Sequence, residues 1–150
     1  MKIRLAISDD KLEEVRHFLE EKGIEIDDDS EYVLTMREGY VGHLSAKNME
    51  TGDKVYISTE DILYIESYGH QIEITTGNGT YNGADPLCQL IVMLDPKKFT
   101  RISKSVIIAK RKVKQIRPSL SMKFVLTMQD GRRLEVTRSF YNSFRDAFNI

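Results

Sequence analysis

The sequence predicts a mostly antiparallel β-domain carrying two short helices, preceded by a small β-α-β lead. Three observations carry this. From residue 31 onward, short β-prone runs with period-two alternation follow one another, separated by turn chemistry such as Thr51-Gly52-Asp53, Gly77-Asn78-Gly79 and Gln129-Asp130-Gly131. Only two segments beyond that point have helical spacing, one after Asp85-Pro86 and one from about Ser139. Within residues 1–30 a single amphipathic helix lies between two β-prone stretches.

The lead opens with alternating residues 3–7, a short strand. Asp9 or Asp10 caps a helix over about 11–22, whose Leu12, Val15, Phe18 and Leu19 share one face. Gly23 ends it, Ile24-Glu25-Ile26 restarts as strand, and Asp27-Asp28-Asp29-Ser30 is a solvated loop. The domain boundary is placed here, with residues 1–30 as an extension for a dimer or regulator contact and 31–150 as the β-domain.

In that β-domain Tyr32-Val33-Leu34-Thr35-Met36 reads as the first strand. The run from Tyr40 to Leu44 is the second, extending toward Met49. Lys54-Val55-Tyr56-Ile57-Ser58 and Asp61-Ile62-Leu63-Tyr64-Ile65-Glu66 follow. A Tyr68-Gly69-His70 loop leads into Gln71-Ile72-Glu73-Ile74-Thr75, then Thr80-Tyr81-Asn82. Leu87, Leu90, Ile91 and Leu94 form the apolar face of the first helix, which Asp95-Pro96 stops. Residues 99–108 are strands broken by a polar loop. Val113-Lys114-Gln115-Ile116 is a strand ended by Arg117-Pro118, and Lys123 to Thr127 and Arg133 to Val136 form a hairpin. Phe140, Phe144 and Phe148, four residues apart, make one stripe of the last helix.

Composition narrows the function. With 150 residues and 41% hydrophobic side chains the chain can bury a real core. No run approaches the roughly 20 apolar residues that span a bilayer, and the start turns acidic too soon for a signal peptide, so a soluble cytoplasmic protein is expected. Cys88 has no partner for a disulfide and, between Leu87 and Leu90, reads as a small buried hydrophobe. Net charge is −1, but its distribution is uneven. Residues 1–54 hold eight Lys/Arg against fourteen Asp/Glu, whereas 97–138 hold thirteen against two. Such asymmetry points to a polyanion partner, or to a solvated basic face balanced by an acidic neighbour.

Catalytic and metal chemistry find little support. His17, His43 and His70 are far apart and lack a His or Cys at ligand spacing. There is no phosphate-cradling glycine loop and no nucleophile elbow. Glu66 and His70 are the one pair that would serve as acid and base. No enzyme activity, cofactor, metal or small-molecule substrate is expected. Asp9-Asp10 after a hydrophobic strand resembles the acidic pair of a response-regulator receiver. Neither a phosphoacceptor Asp nor a Lys follows at receiver separations, so a helix N-cap is the better reading.

Four segments stand in a telling order: Asp61-Ile62-Leu63-Tyr64-Ile65-Glu66-Ser67; the helix at 86–94; Phe99-Thr100-Arg101-Ile102-Ser103-Lys104-Ser105 followed by Val106-Ile107-Ile108; and Val136-Thr137-Arg138-Ser139. Over about residues 40–150, and most closely over 55–150, they resemble the LytTR family of bacterial DNA-binding domains. The Arg-Ile-Ser-Lys-Ser version looks most like small stand-alone LytTR regulators with a short N-terminal extension in place of a receiver.

The resemblance implies an elongated stack of antiparallel sheets that puts loops, not a recognition helix, into successive major grooves of double-stranded DNA. It implies a sequence-specific transcriptional regulator at promoter repeats, a homodimer on DNA, and a membrane-protein regulator as a further partner. Three loops match the family's base-reading loops, carrying His70, Lys104 and Arg138. The chemistry agrees: Arg138 offers a planar fork for guanine N7 and O6, Lys104 donates to the same edge, and His70 donates to a base acceptor or phosphate. Gln71, Ser105 and Ser139 are supporting contacts, and Lys110, Arg111 and Lys112 suit phosphate. Arg101 is read as an internal ion-pair partner of Glu66 or Glu73. One departure is Ala109, where the family usually has Asn. The alternative function is a protein-interaction module whose basic face does not read DNA.

Overall fold

The computed structural model describes residues 1–35 and 39–150. The chain forms two compact units, Met1–Tyr40 and Val41–Ile150.

In the first unit β1 (Lys2–Ala6) runs into α1 (Asp9–Glu21), β2 (Glu25–Ile26) and β3 (Val33–Thr35). Both β2 and β3 pair with β1 in parallel, in the order β2-β1-β3. Helix α1 starts two residues earlier than the spacing predicts. Ser8 stands at the N-cap, and Asp9 and Asp10 lie in the first turn, where their charge complements the helix dipole. At the other end Gly23, at φ 78°, donates to the Glu20 carbonyl while Ile24 donates to that of Leu19. This double closure needs a left-handed residue after the helix, which is the role of the glycine.

The strand expected over 32–36 is the point of difference for the 30/31 boundary. Its described part, β3, pairs with β1 through Arg4↔Val33 to Ala6↔Thr35, so these residues join the first unit; Met36 lies outside the described residues. An extended apolar run reads alike whichever sheet it joins, which is why alternation alone assigns it to the following domain.

The second unit comprises β4 (His43–Asn48), β5 (Lys54–Ser58), β6 (Ile62–Tyr68), β7 (Gln71–Thr76), β8 (Gly79–Gly83), α2 (Leu87–Met93), β9 (Phe99–Ser103), β10 (Val106–Ala109), β11 (Val113–Ser119), β12 (Lys123–Met128), β13 (Arg133–Val136) and α3 (Tyr141–Phe148). It is mostly β with antiparallel sheets and few short helices. A seven-stranded sheet has the order β5-β4-β8-β7-β6-β10-β9, and a three-stranded sheet the order β11-β12-β13. Every pairing in this unit is antiparallel.

Each face of the large sheet has its own core. On one face Leu44, Ile57, Ile65, Ile72, Ile74 and Ile107 pack against Leu87, Leu90 and Leu94 at α2. Cys88, expected to be buried with them, is exposed because it falls on the helix face turned away from this core. On the other, Leu63, Ile102 and Ile108 pack against Phe124, Leu126, Met128, Leu134 and Val136 of the small sheet and Phe144 of α3. The neighbours Ile107 and Ile108 fall in different cores because successive strand residues point to opposite faces.

Two boundaries differ from the sequence reading. The strand expected from Tyr40 begins only at His43, because Val41 donates to the Met93 carbonyl and Gly42 accepts from Thr59 instead of joining a ladder. Strand β11 runs through Pro118 to Ser119. It is the outer strand of the small sheet, where a residue without an N–H is tolerated.

Candidate nucleic-acid interface

Three turns carry the candidate base readers. Tyr68 and Gln71 face each other across β6 and β7, leaving Gly69-His70 as a two-residue loop. Gly69 has φ 61° while His70 keeps a negative φ, the II′ pattern that requires glycine first and matches strand twist. Ser103 faces Val106 across β9 and β10, so Lys104-Ser105 is the second tight turn. The Ser105 amide donates to Ser103 Oγ at 3.2 Å, closing it from within. The third follows β13: the Thr137 amide donates to the Ile102 carbonyl at 3.0 Å, and a 3₁₀ turn over Arg138–Phe140 begins there.

These turns converge on one end of the large sheet. Strand β10 is antiparallel to both β6 and β9, so the β6–β7 and β9–β10 turns lie at the same strand end. The Ser67 amide donates to the Ser105 carbonyl at 2.8 Å and joins them directly. The Thr137–Ile102 bond sets the start of the Arg138 turn one residue from the end of β9. His70, Gln71, Lys104, Ser105, Arg138 and Ser139 are all exposed.

Lys110, Arg111 and Lys112 are not brought to this group. They form a 3₁₀ turn at the opposite end of β10. Arg111 pairs with Glu60, whose other oxygen accepts from Lys98 at 2.7 Å; Lys98 first, and Arg111 with it, holds the Glu60 carboxyl below its ordinary range. Lys110 Nζ stands 5.8 Å from the Phe148 ring. Ala109, buried at the end of β10, lines a small cavity beside Glu60, Lys98 and Arg111. No asparagine organises the turn. The Lys110 amide donates to the Lys98 carbonyl, and Gln129 donates through its side chain to the Arg111 carbonyl and through its amide to that of Lys112.

A further cluster escaped the sequence reading. Glu66, 6% exposed, accepts at Oε2 from Tyr68 at 2.8 Å and from Arg132 Nη2 at 2.9 Å. Tyr64 donates to Asp130 at 2.7 Å, and the Asp130 carboxylate also accepts from the Arg132 amide. The cluster ties the β12–β13 turn to the strand that ends in the His70 turn. Its signal was a carboxylate inside the buried run of β6, which demands a partner. The partner is Arg132, not Arg101. Arg101 instead donates to the Ser103 and Lys104 carbonyls. The Glu66–His70 acid–base pair is not assembled, since Glu66 is held by Arg132 and Tyr68 while His70 sits on an open turn.

Among the described residues, five of the thirteen basic side chains in 97–138 are hydrogen-bonded or ion-paired within the fold: Lys98, Arg101, Arg111, Lys123 (with Glu135) and Arg132. His17 pairs with Glu21 on α1 at 3.1 Å. No group of His, Cys, Asp and Glu suited to a metal occurs among the described residues, and no described helix is long and apolar enough to cross a membrane.

Burial, and then the bond to Asp130, push the Tyr64 phenol up to about 12. A raised phenol stabilises the fold while protonated. The contribution is whole below about pH 10 and is lost as pH rises through about 12. Allowing for solvent near the hydroxyl, it is worth about 1–2 kcal/mol. Urea midpoints at pH 9 and above pH 11 should show that loss in the native chain and a smaller one in Tyr64→Phe. Equal alkaline losses in both would assign the effect elsewhere.

Residues 52–149 match the family model described as the LytTr DNA-binding domain. Among curated proteins, the sensory transduction protein LytT of Bacillus subtilis (strain 168) is 24% identical over 96 residues, covering 64% of this chain and 40% of that protein. The transcriptional regulatory protein LytR of Staphylococcus aureus (strain N315) is 25% identical over 103 residues, covering 68% of this chain and 42% of that protein. This chain thus spans about two-fifths of the length of these relatives. A solved LytTr DNA-binding domain from Bacillus cereus matches with a TM-score of 0.69 at 20% identity, covering 73% of this chain and 99% of that one. At that identity the likeness establishes the fold.

Proposed function

The chain belongs to the LytTr DNA-binding domain family, and we propose that it is a transcriptional regulator that binds double-stranded DNA sequence-specifically, with His70, Lys104 and Arg138 reading base edges in successive major grooves. The observation that carries the reading is the convergence of three exposed turns on one sheet end, each offering a hydrogen-bond donor. The Arg138 fork suits guanine O6 and N7, Lys104 donates to the same acceptors, and His70 has a ring N–H for a base or phosphate oxygen. Gln71, Ser105 and Ser139 flank them with shorter donors. The relatives named as a sensory transduction protein and a transcriptional regulatory protein support the regulatory part.

Phosphate contact falls to other cations, since it positions a protein without specifying sequence. Of the three at the far end of β10, Arg111 is engaged by Glu60, leaving Lys110 and Lys112 as the better candidates. Two copies on repeated half-sites, with the first unit as a dimer or regulator contact and a membrane protein as restraint, complete the proposal.

Selection of bound fragments from random duplex, followed by affinity measurements across salt concentrations, tests it. An enriched motif with salt-dependent affinity is expected. Absence of salt-sensitive duplex binding would remove the reading and favour a protein-interaction module. Lys112→Ala should weaken selected and random duplex alike, and reduce the log–log salt slope by about 0.9 if one phosphate contact is lost.

A further inference from the structure

We infer that Arg101 is a positioning residue for DNA readout, holding the Lys104 turn and the Arg138 turn in one fixed relation through its guanidinium. The inference rests on the DNA-binding reading above and names the residue that makes its geometry rigid.

Arg101 lies in β9 opposite Ile107, two residues before the strand ends. Its Nε donates to the Ser103 carbonyl at 3.0 Å, and its Nη2 donates to the Lys104 carbonyl. One planar group thereby fixes the carbonyls at the entry and first residue of the tight turn. The guanidinium carbon stands 5.9 Å from the centre of the Phe140 ring, within cation–π range. Phe140 closes the 3₁₀ turn that Arg138 opens, and its amide donates to the Thr137 carbonyl at 2.9 Å. The same side chain therefore touches both turns, and the Thr137–Ile102 bond supports the contact from the main chain.

Chemistry separates this role from the obvious ones. Arg101 is half-buried, and its described partners are carbonyl oxygens and a ring; among the described residues no carboxylate stands within ion-pair distance of it. A residue kept for phosphate would be exposed with its fork turned outward. A fork is needed here because two carbonyls from successive residues must be met from one plane, while lysine offers a point charge on a flexible stem. A turn left to sample several positions spreads the Lys104 ammonium over a volume. Base readout loses more from that than backbone attraction does, since only the former needs fixed geometry.

The test compares wild type, Arg101→Lys and Arg101→Ala on the selected site and on random duplex, across a salt series, with thermal melts of each. Arg101→Lys should bind the selected site about tenfold more weakly, the size of one impaired base contact. It should bind random duplex within about twofold of wild type and keep the wild-type salt slope, since no phosphate contact is removed. Discrimination should fall at the base pairs whose recognition Lys104→Ala or Arg138→Ala also abolishes. In the DNA-free protein, hydrogen exchange at the Ser105 and Phe140 amides should quicken.

A salt slope reduced by about 0.9 would make Arg101 a phosphate ligand and overturn the inference. Equal losses on both duplexes, or no loss on either, would overturn it too. If Arg101→Ala melts below the assay temperature, Arg101→Lys alone decides. Should wild type show no site preference, the DNA reading fails, while amide exchange in the free protein still reports whether the clamp exists.

Discussion

Phe144→Ala should destabilise the second unit by about 3–5 kcal/mol, the largest effect expected of any single truncation here. Phe144 is completely buried, with its ring 5.1 Å from Phe124 and 4.6 Å from Phe148. Phe124 in turn stacks on Tyr141 at 4.9 Å. The ring is thus where α3, the three-stranded sheet and the inner residues of β9 and β10 meet. Removing it leaves a cavity whose walls belong to separate elements and are unable to collapse together. For a unit of this size the melting temperature should fall on the order of 15 °C. Tyr56→Ala, on a side chain 68% exposed, should move stability by no more than about 0.5 kcal/mol. A loss below about 1 kcal/mol for Phe144→Ala, measured by urea unfolding, would mean that α3 is not part of the cooperative core.

Arg138→Ala should cost about 1–3 kcal/mol on the selected DNA site, roughly 5- to 150-fold in affinity, and far less on random duplex. The side chain is exposed at the start of a 3₁₀ turn, so its removal leaves both cores intact and the melting temperature close to wild type. That contrast with Phe144 separates recognition from folding. Lys104→Ala should behave in the same way with a different set of affected base pairs. Equal losses for Arg138→Ala on selected and random duplex would show that the guanidinium holds phosphate and does not read bases.

Most strands and both helices of the second unit were legible because each is short, alternating or periodic, and bounded by turn residues. Lys54–Ser58 is such a strand, and Gln71–Thr76 between Gly69 and Gly77 is another. Phe140, Phe144 and Phe148 marked the last helix, although the first of them sits in the 3₁₀ turn, where it packs against the same core and also meets Arg101. The destination of Val33–Thr35 was not legible, nor was the passage of β11 through Pro118. Both depend on which strand lies alongside, and no local pattern records that.

The candidate interface divides in the same way. That His70, Lys104 and Arg138 stand on turns follows from the residues around them and from the ordered motifs. That the three turns share one sheet end follows only from the pairing of β10 with β6 and β9 and from the Thr137–Ile102 bond. The partner of Glu66 lies 66 residues away in sequence, beyond the reach of any spacing argument.

The basic stretch 97–138 shows where local and long-range information part. Its excess of positive charge, and the segmentation of the chain into strands and turns, are properties of neighbouring residues and can be read without a fold. Which cations remain available is settled by contacts between distant segments. Glu60 takes Lys98 and Arg111, Glu66 takes Arg132, and the carbonyls of a turn take Arg101. Hydrogen bonds and ion pairs act over a few ångströms, so only the folded chain, which brings remote residues within that range, can divide a basic stretch into cations paired within the fold and the rest.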